Sequence, residues 1–161
     1  MPKQIRQKTD PILRQEAPVV TAALPSVKIN QIISTMRETL TAHPDGVALA
    51  APQIGVSLRL FIVSPQALGR PPGDQTLVFI NPRIVKSSRR QVELIEGCLS
   101  VRQVYGRIKR PEKVTIQALD EKGRRFTRHT AGLLAQIVQH EIDHLDGILF
   151  IDKAYDLAEV K

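Results

Sequence analysis

The chain has 161 residues, 42% of them hydrophobic and 4% aromatic, with no Trp. That length and composition support one globular domain over residues 1–161, with a core of Ile, Leu, Val and Ala, and exclude a disordered chain. The formal charge is +7, from 23 Lys+Arg against 16 Asp+Glu, and the single Cys98 excludes an internal disulfide and fits a reducing compartment.

The opening run, Met1-Pro2-Lys3-Gln4-Ile5-Arg6-Gln7-Lys8, has no apolar stretch behind it and does not read as a signal peptide. No segment is long enough to span a bilayer, so a soluble, cytoplasmic protein without membrane contact is expected. Much of the charge lies in Arg83, Lys86, Arg89 and Arg90, and in Arg102, Arg107, Lys109, Arg110 and Lys113. No aromatics are interleaved to stack bases. The band is therefore read as a solvated surface with no specific nucleic-acid partner, supporting at most a transient contact with an RNA-rich particle such as the ribosome.

Residues 1–25 are punctuated by Pro11, Pro18 and Pro25 and read as irregular. Ser26 is placed to cap a first helix, with Ile29, Ile32, Ile33, Met36 and Leu40 at helical spacing, ending near Ala42 before His43-Pro44-Asp45-Gly46. Arg59–Ser64 reads as a strand and residues 65–76, rich in Pro and Gly, as a loop. Leu77–Val85 is a second apolar strand, with an edge or bulge at Asn81-Pro82 because Pro82 has no N–H for a ladder. Val92–Ile95 is a short strand leading into Glu96-Gly97-Cys98-Leu99-Ser100. Lys113–Leu119 and Arg124–Thr130 form a hairpin around Asp120-Glu121-Lys122-Gly123. A last helix spans Ala131–Leu145. Strands that neighbour one another without regular helices between them predict an α+β fold with antiparallel sheets. The tail after Ala154 is read as too short for a long helix.

The last helix contains His140-Glu141-Ile142-Asp143-His144. Residues four apart on a helix share a face, so both imidazoles can reach one metal ion and Glu141 can reach a water beside it. Such a pattern suggests metal-assisted amide hydrolysis. A site of this kind normally has a third protein ligand. The extended H-E-x-x-H-x-x-G-x-x-H pattern is excluded, because Gly147 matches but Phe150 stands at the third His and no Met follows for a Met-turn. A class that takes its third ligand from a downstream Glu on a second helix finds only Glu159 as a later Glu, with little room for such a helix. The upstream candidates are His43, Cys98 and His129. Of these Cys98 is favoured, since its thiolate suits zinc-like or ferrous ions and Gly97 before it permits unusual backbone geometry.

Three motifs occur in order: Gly46-Val47-Ala48-Leu49-Ala50-Ala51-Pro52-Gln53, Glu96-Gly97-Cys98-Leu99-Ser100, and Gln139-His140-Glu141-Ile142-Asp143-His144. Together they resemble the peptide deformylases, whose signatures are G-x-G-x-A-A-x-Q, E-G-C-x-S and an H-E-x-x-D-H-type helix run. The resemblance covers nearly the whole chain. It implies antiparallel sheets wrapped around a central helix bearing H-E-x-x-H, with an N-terminal helix. It also implies removal of the N-formyl group from the initiator methionine of nascent chains. Cys98, His140 and His144 are then expected to hold one divalent ion, Fe(II) or in its place Zn, Ni or Co. Glu141 is expected as general base, with the Gln53 side chain and the Leu99 backbone N–H as oxyanion donors. Val47, Ala48 and Gly97 are expected along the substrate, and Val47, Leu49, Leu94 and Ile137 read either as walls for its methionine side chain or as ordinary core. Glu96 is expected to fix the ligand loop, and Asp143 to orient a neighbour or face solvent. Two departures stand out. Ala48 replaces the second glycine of the first motif, which predicts a narrowed or reshaped cleft, and Val101-Arg102-Gln103-Val104-Tyr105 differs from the run that commonly follows Ser100, which predicts altered contacts with the substrate's flank. The competing readings are a metal-dependent protease or aminopeptidase, which lacks its third-ligand signature here, and a deformylase-like protein that binds blocked peptides without turnover.

Overall fold

The computed structural model describes residues 1–71 and 73–160. Two helices, α1 (Ser26–Thr41) and α2 (Gly132–Leu145), pack with eight strands: β1 (Ala48–Ala50), β2 (Leu60–Val63), β3 (Leu77–Ser87), β4 (Gln91–Cys98), β5 (Val101–Pro111), β6 (Lys113–Leu119), β7 (Arg125–Ala131) and β8 (Tyr155–Glu159). One sheet has the order β1-β2-β3-β6-β7 and a smaller one β4-β5-β8, and every pairing is antiparallel.

Strand side chains alternate between faces, and that alternation builds the two layers. Ala48, Ala50, Phe61, Val63, Val114, Ile116 and Ala118 face α2, where Ala135, Ile137, Val138, Ile142 and Leu145 close the core. Leu49, Leu60 and Ile62 point the other way and meet Ile32, Ile33, Met36 and Leu40 of α1. The helix carrying H-E-x-x-H thus lies against one face of the large sheet and α1 against the other. A third cluster, Leu13, Val101, Ile108, Leu149 and Phe150, with Leu94 half-buried against it, sits under the small sheet.

Several expectations hold. The break at Asn81-Pro82 is a shift in the β3–β6 register between Ile80 and Arg83. Asn81 there has φ +51°, a region Asn tolerates, and its side chain holds Val20 through both N–H and C=O at 2.8 Å. Others need correction. Ser26 is the first helical residue rather than the cap: Pro25 precedes it and supplies no side-chain bond. Residues 101–105, given no element from the sequence, open strand β5, with Val104 and Tyr105 paired to β8, the strand that the short tail forms. The reason lies in pairing partners distant in sequence, which local pattern does not reveal.

Candidate active site

Helix α2 presents His140 and His144 one turn apart, with ring centroids 5.0 Å from each other. The end of β4 brings Cys98 against them, its Sγ 3.3 Å from His144 Nε2. One donor atom each from Cys98, His140 and His144 lies within 4.8 Å of the others. A set of one sulfur and two imidazoles suits zinc-like and ferrous ions. Burial alone would push the Cys98 thiol up, but the facing His144 and His140 rings outweigh it and hold the thiol well below its ordinary value. His140 moves the opposite way: burial opposes its charge, yet the bonds to Cys98 and Glu96 raise it well above an ordinary imidazole.

The rest of the site orients His140 and Cys98, while the Nδ1 of His144 is buried without a hydrogen-bond partner. His140 Nδ1 meets Glu96 Oε1 at 2.8 Å, which leaves its Nε2 directed at the shared centre. Glu96 is itself clamped by Arg110, whose Nε and Nη2 reach the two carboxylate oxygens at 2.5 and 2.9 Å. Burial would raise the Glu96 carboxyl, but Arg110 and His140 bring it down to about 2. Arg110 also donates to Asp143 Oδ2 at 3.1 Å, and Lys153 reaches Asp143 Oδ1 at 3.1 Å. Asp143 therefore joins α2 to the small sheet rather than facing solvent.

Glu141 is buried, and its Oε2 has no hydrogen-bond partner. Burial pushes its carboxyl up, against the pull of the His140 and His144 rings. A buried acceptor left open beside a cluster of metal-type donors is what a reacting water needs. Gln53 sits in the tight turn Ala51–Ile54, where its Oε1 accepts from the Ala50 N–H at 2.9 Å. Its Nε2 donates to Ser100 Oγ at 3.0 Å and lies 3.8 Å from Cys98 Sγ. The Ser100 N–H points at the same sulfur at 3.4 Å.

These groups line the base of a cavity of about 560 Å³. Val47, Ala48, Gln53, Gly97, Cys98, Leu99, His140 and Glu141 all border it, and His144 lies behind them. Of the expected methionine walls, Val47 and Ile137 border the cavity. Leu49 and Leu94 do not, being packed under α1 and under the small sheet. Ala48 is 7% exposed and packs with Phe61 and Ile137, so its methyl is largely absorbed by the core instead of narrowing the cleft. Gly97 has no positive φ. Its small size lets the Tyr105 ring lie close, since an added Cβ would stand 2.6 Å from that ring unless the ring moved. His43 borders the cavity rim, bonded to Thr39, and His129 is bonded to Thr115 on β6; neither joins the cluster.

Arg110 and Ser100 were not identified from sequence. Ser100 stood inside a motif without a role. Arg110 was counted with the surface charge, although Gly106, Ile108 and Arg110 recur every second residue and are all buried. That period, beside two acids near an apolar helix, was the available signal.

Comparison with known proteins agrees with this geometry. The polypeptide deformylase family model matches residues 2–160. "Peptide deformylase 2" of Clostridium acetobutylicum is 43% identical over 150 residues, covering 93% of this chain and 93% of that protein. The peptide deformylase of Natranaerobius thermophilus is 41% identical over 155 residues, covering 96% and 94%. Among solved structures, the peptide deformylase of Legionella pneumophila superposes with a TM-score of 0.86 at 40% identity, covering 97% of this chain and 88% of that one. That of Thermotoga maritima gives 0.85 at 33% identity, covering 96% and 99%. By the extent of the family match and these identities, the chain belongs to the polypeptide deformylase family.

Proposed function

We propose that the chain works as a single catalytic domain in which Cys98, His140 and His144 hold one divalent ion and Glu141 moves the protons of deformylation. The family's reaction is removal of the N-formyl group from the N-terminal methionine of nascent polypeptides, releasing formate. The observation that carries the assignment of roles is the unpartnered Glu141 Oε2 beside the convergent sulfur and two rings. Ferrous iron is the proposed resident, with zinc, nickel or cobalt able to replace it. When bound, such an ion supplies the Lewis acidity that makes water nucleophilic near neutral pH.

Glu141 accepts a proton from the water that attacks the formyl carbon, then delivers it to the amine nitrogen as the C–N bond breaks. The products are formate and a free N-terminus. Gln53 is fixed through Oε1 and uses one N–H for Ser100. Its second N–H and the Leu99 N–H stabilise the oxyanion in this reading. Strand β1 is a sheet edge, and its Ala48, with Val47 just before it, borders the cleft. A peptide lying extended beside it gains main-chain hydrogen bonds. A related structure from Acinetobacter baumannii, 34% identical with a TM-score of 0.85, is described as bound to Met-Ala-Ser, which suits a peptide in this cleft. The proposed partner is the formyl-methionyl nascent chain in the cytoplasm, with at most a transient ribosome contact through the basic surface. No helix among the described residues is long and apolar enough to cross a membrane.

The test is formate release from a formyl-Met peptide by enzyme loaded with Fe(II) under anaerobic conditions. Glu141→Ala is expected to lower kcat by roughly 10²–10⁴ while retaining metal. Near-normal turnover by that variant would remove Glu141 from the mechanism.

A further inference from the structure

The large sheet carries charge of one sign on the face turned away from α2. On β6, Val114, Ile116 and Ala118 are buried toward α2, so Lys113, Thr115 and Gln117 between them look outward. The register sets their neighbours: Thr115 lies between Lys86 of β3 and His129 of β7, and Gln117 between Arg83 and Thr127. Lys86, Lys113 and His129, with Ser88, Thr115 and Thr130, line a second cavity of about 470 Å³. Its neutral polar groups satisfy one another. Thr115 Oγ1 and His129 Nδ1 meet at 3.0 Å, and Ser88 Oγ accepts from the Lys113 N–H at 3.1 Å. The cations do not have that option. Arg83, Lys86 and Lys113 are exposed, and no ion pair among the described residues includes any of them. The acids in the turns flanking β6, Glu112, Asp120 and Glu121, are already paired with Arg90, Arg124 and Arg37.

Resting on the deformylase reading, whose substrate is a chain still emerging from an RNA-rich particle, we propose that this face docks on the phosphate backbone of double-helical RNA through Arg83, Lys86 and Lys113. Three cations with no acid to pair with are complementary to a surface of closely spaced negative charges. The contact is with phosphates and not with bases: Phe126, the aromatic of β7, is half-buried and turned inward, its ring 5.5 Å from that of Phe79, which leaves nothing on this face to stack a base. Double-helical RNA is read in the same way, by shape and backbone. Because α2, with His140 and His144, packs on the opposite face of the sheet, a docked enzyme keeps its cleft open to the peptide.

The experiment measures binding of the Fe(II)-loaded enzyme to a short RNA duplex across a salt series. With three phosphate contacts, Kd should rise about 50-fold between roughly 50 and 200 mM salt. Lys86→Gln/Lys113→Gln should lower the salt slope by about two and weaken binding at low salt at least about tenfold. The control, Lys8→Gln/Lys109→Gln, removes the same charge from the side of the small sheet, where Lys109 lies opposite Glu93 on β4 and the Lys8 N–H is bonded to the Ser100 carbonyl; it should keep the wild-type slope. Equal losses in the two double variants would reduce the effect to net charge and overturn the proposal, as would no binding of the duplex at low salt. Tighter binding to vesicles of phosphatidylcholine and phosphatidylserine, lost in Lys86→Gln/Lys113→Gln, would overturn it in favour of a lipid surface. Both double variants should release formate from free formyl-Met-Ala-Ser at the wild-type rate, which also shows that they are folded. Absence of formate with the wild type would instead overturn the deformylase reading.

Discussion

The two halves of the site are built by different means. Helix α2 delivers His140, Glu141 and His144 from one stretch of five residues, with the two imidazoles four apart on one face. The β4–β5 pair delivers Cys98, Glu96 and Arg110 through a ladder in which Glu96 faces Gly106 and Cys98 faces Val101. Between those two pairs the chain from 102 to 105 bulges outward, and Tyr105 lays its ring on Gly97. The helical half can survive small errors in packing. The strand half depends on one register and on a buried ion pair, and so is where substitutions should propagate furthest.

The largest effect is expected at Arg110. Its side chain is 4% exposed and that of Glu96 3%. Arg110→Met leaves Glu96 and Asp143 without their shared cation and should cost about 3–5 kcal/mol of stability. Lys153→Met, at a side chain 48% exposed on the same Asp143, should cost no more than about 1 kcal/mol. Denaturant unfolding of both variants checks the contrast, and equal losses would break it.

A smaller effect is expected at Glu96→Gln, which keeps the shape but weakens the hold on His140. Metal affinity, read by competition with a chelator, should fall about 10- to 100-fold. The same variant carries a pH signature. Glu96 is held at about 2 against an ordinary 4.5, so its carboxylate form stabilises the fold. That contribution is fully present above the ordinary value and is lost as pH falls through the lower one. Stability of the wild type should therefore decline across this acid window, and the decline should be shallower in Glu96→Gln.

The smallest effect is expected at Gly97→Ala. The new methyl meets the Tyr105 ring at 2.6 Å, and overpacking of this kind costs about 1–3 kcal/mol. Because Tyr105 is 47% exposed, its ring can swing out. Adding Tyr105→Ala should restore most of the loss in a double-mutant cycle, and additive losses would show that another neighbour sets the requirement for glycine.

The same contrast explains what could be read from the chain itself. The α2 face was legible because His140 and His144 repeat at helical spacing inside an apolar run. The break at Asn81-Pro82 was legible because proline cannot donate. Cys98 followed from the need for a third ligand and from its motif. Arg110 was hidden because a charge among charges looks solvated until the strand beneath it is recognised, and β5 becomes a strand only through partners in β4 and β8. Leu49 and Leu94 could be read as cleft wall or as core, and the structure puts them in the core, because a motif gives the order of residues but not the face to which each one turns.

Metal content tests the central claim most directly. Enzyme prepared anaerobically with supplied Fe(II) should carry one ion per chain, and Cys98→Ala should lose stoichiometric metal while its far-ultraviolet circular dichroism remains that of the wild type. A folded Cys98→Ala protein that keeps a full equivalent of metal would contradict the joining of strand and helix at a single ion.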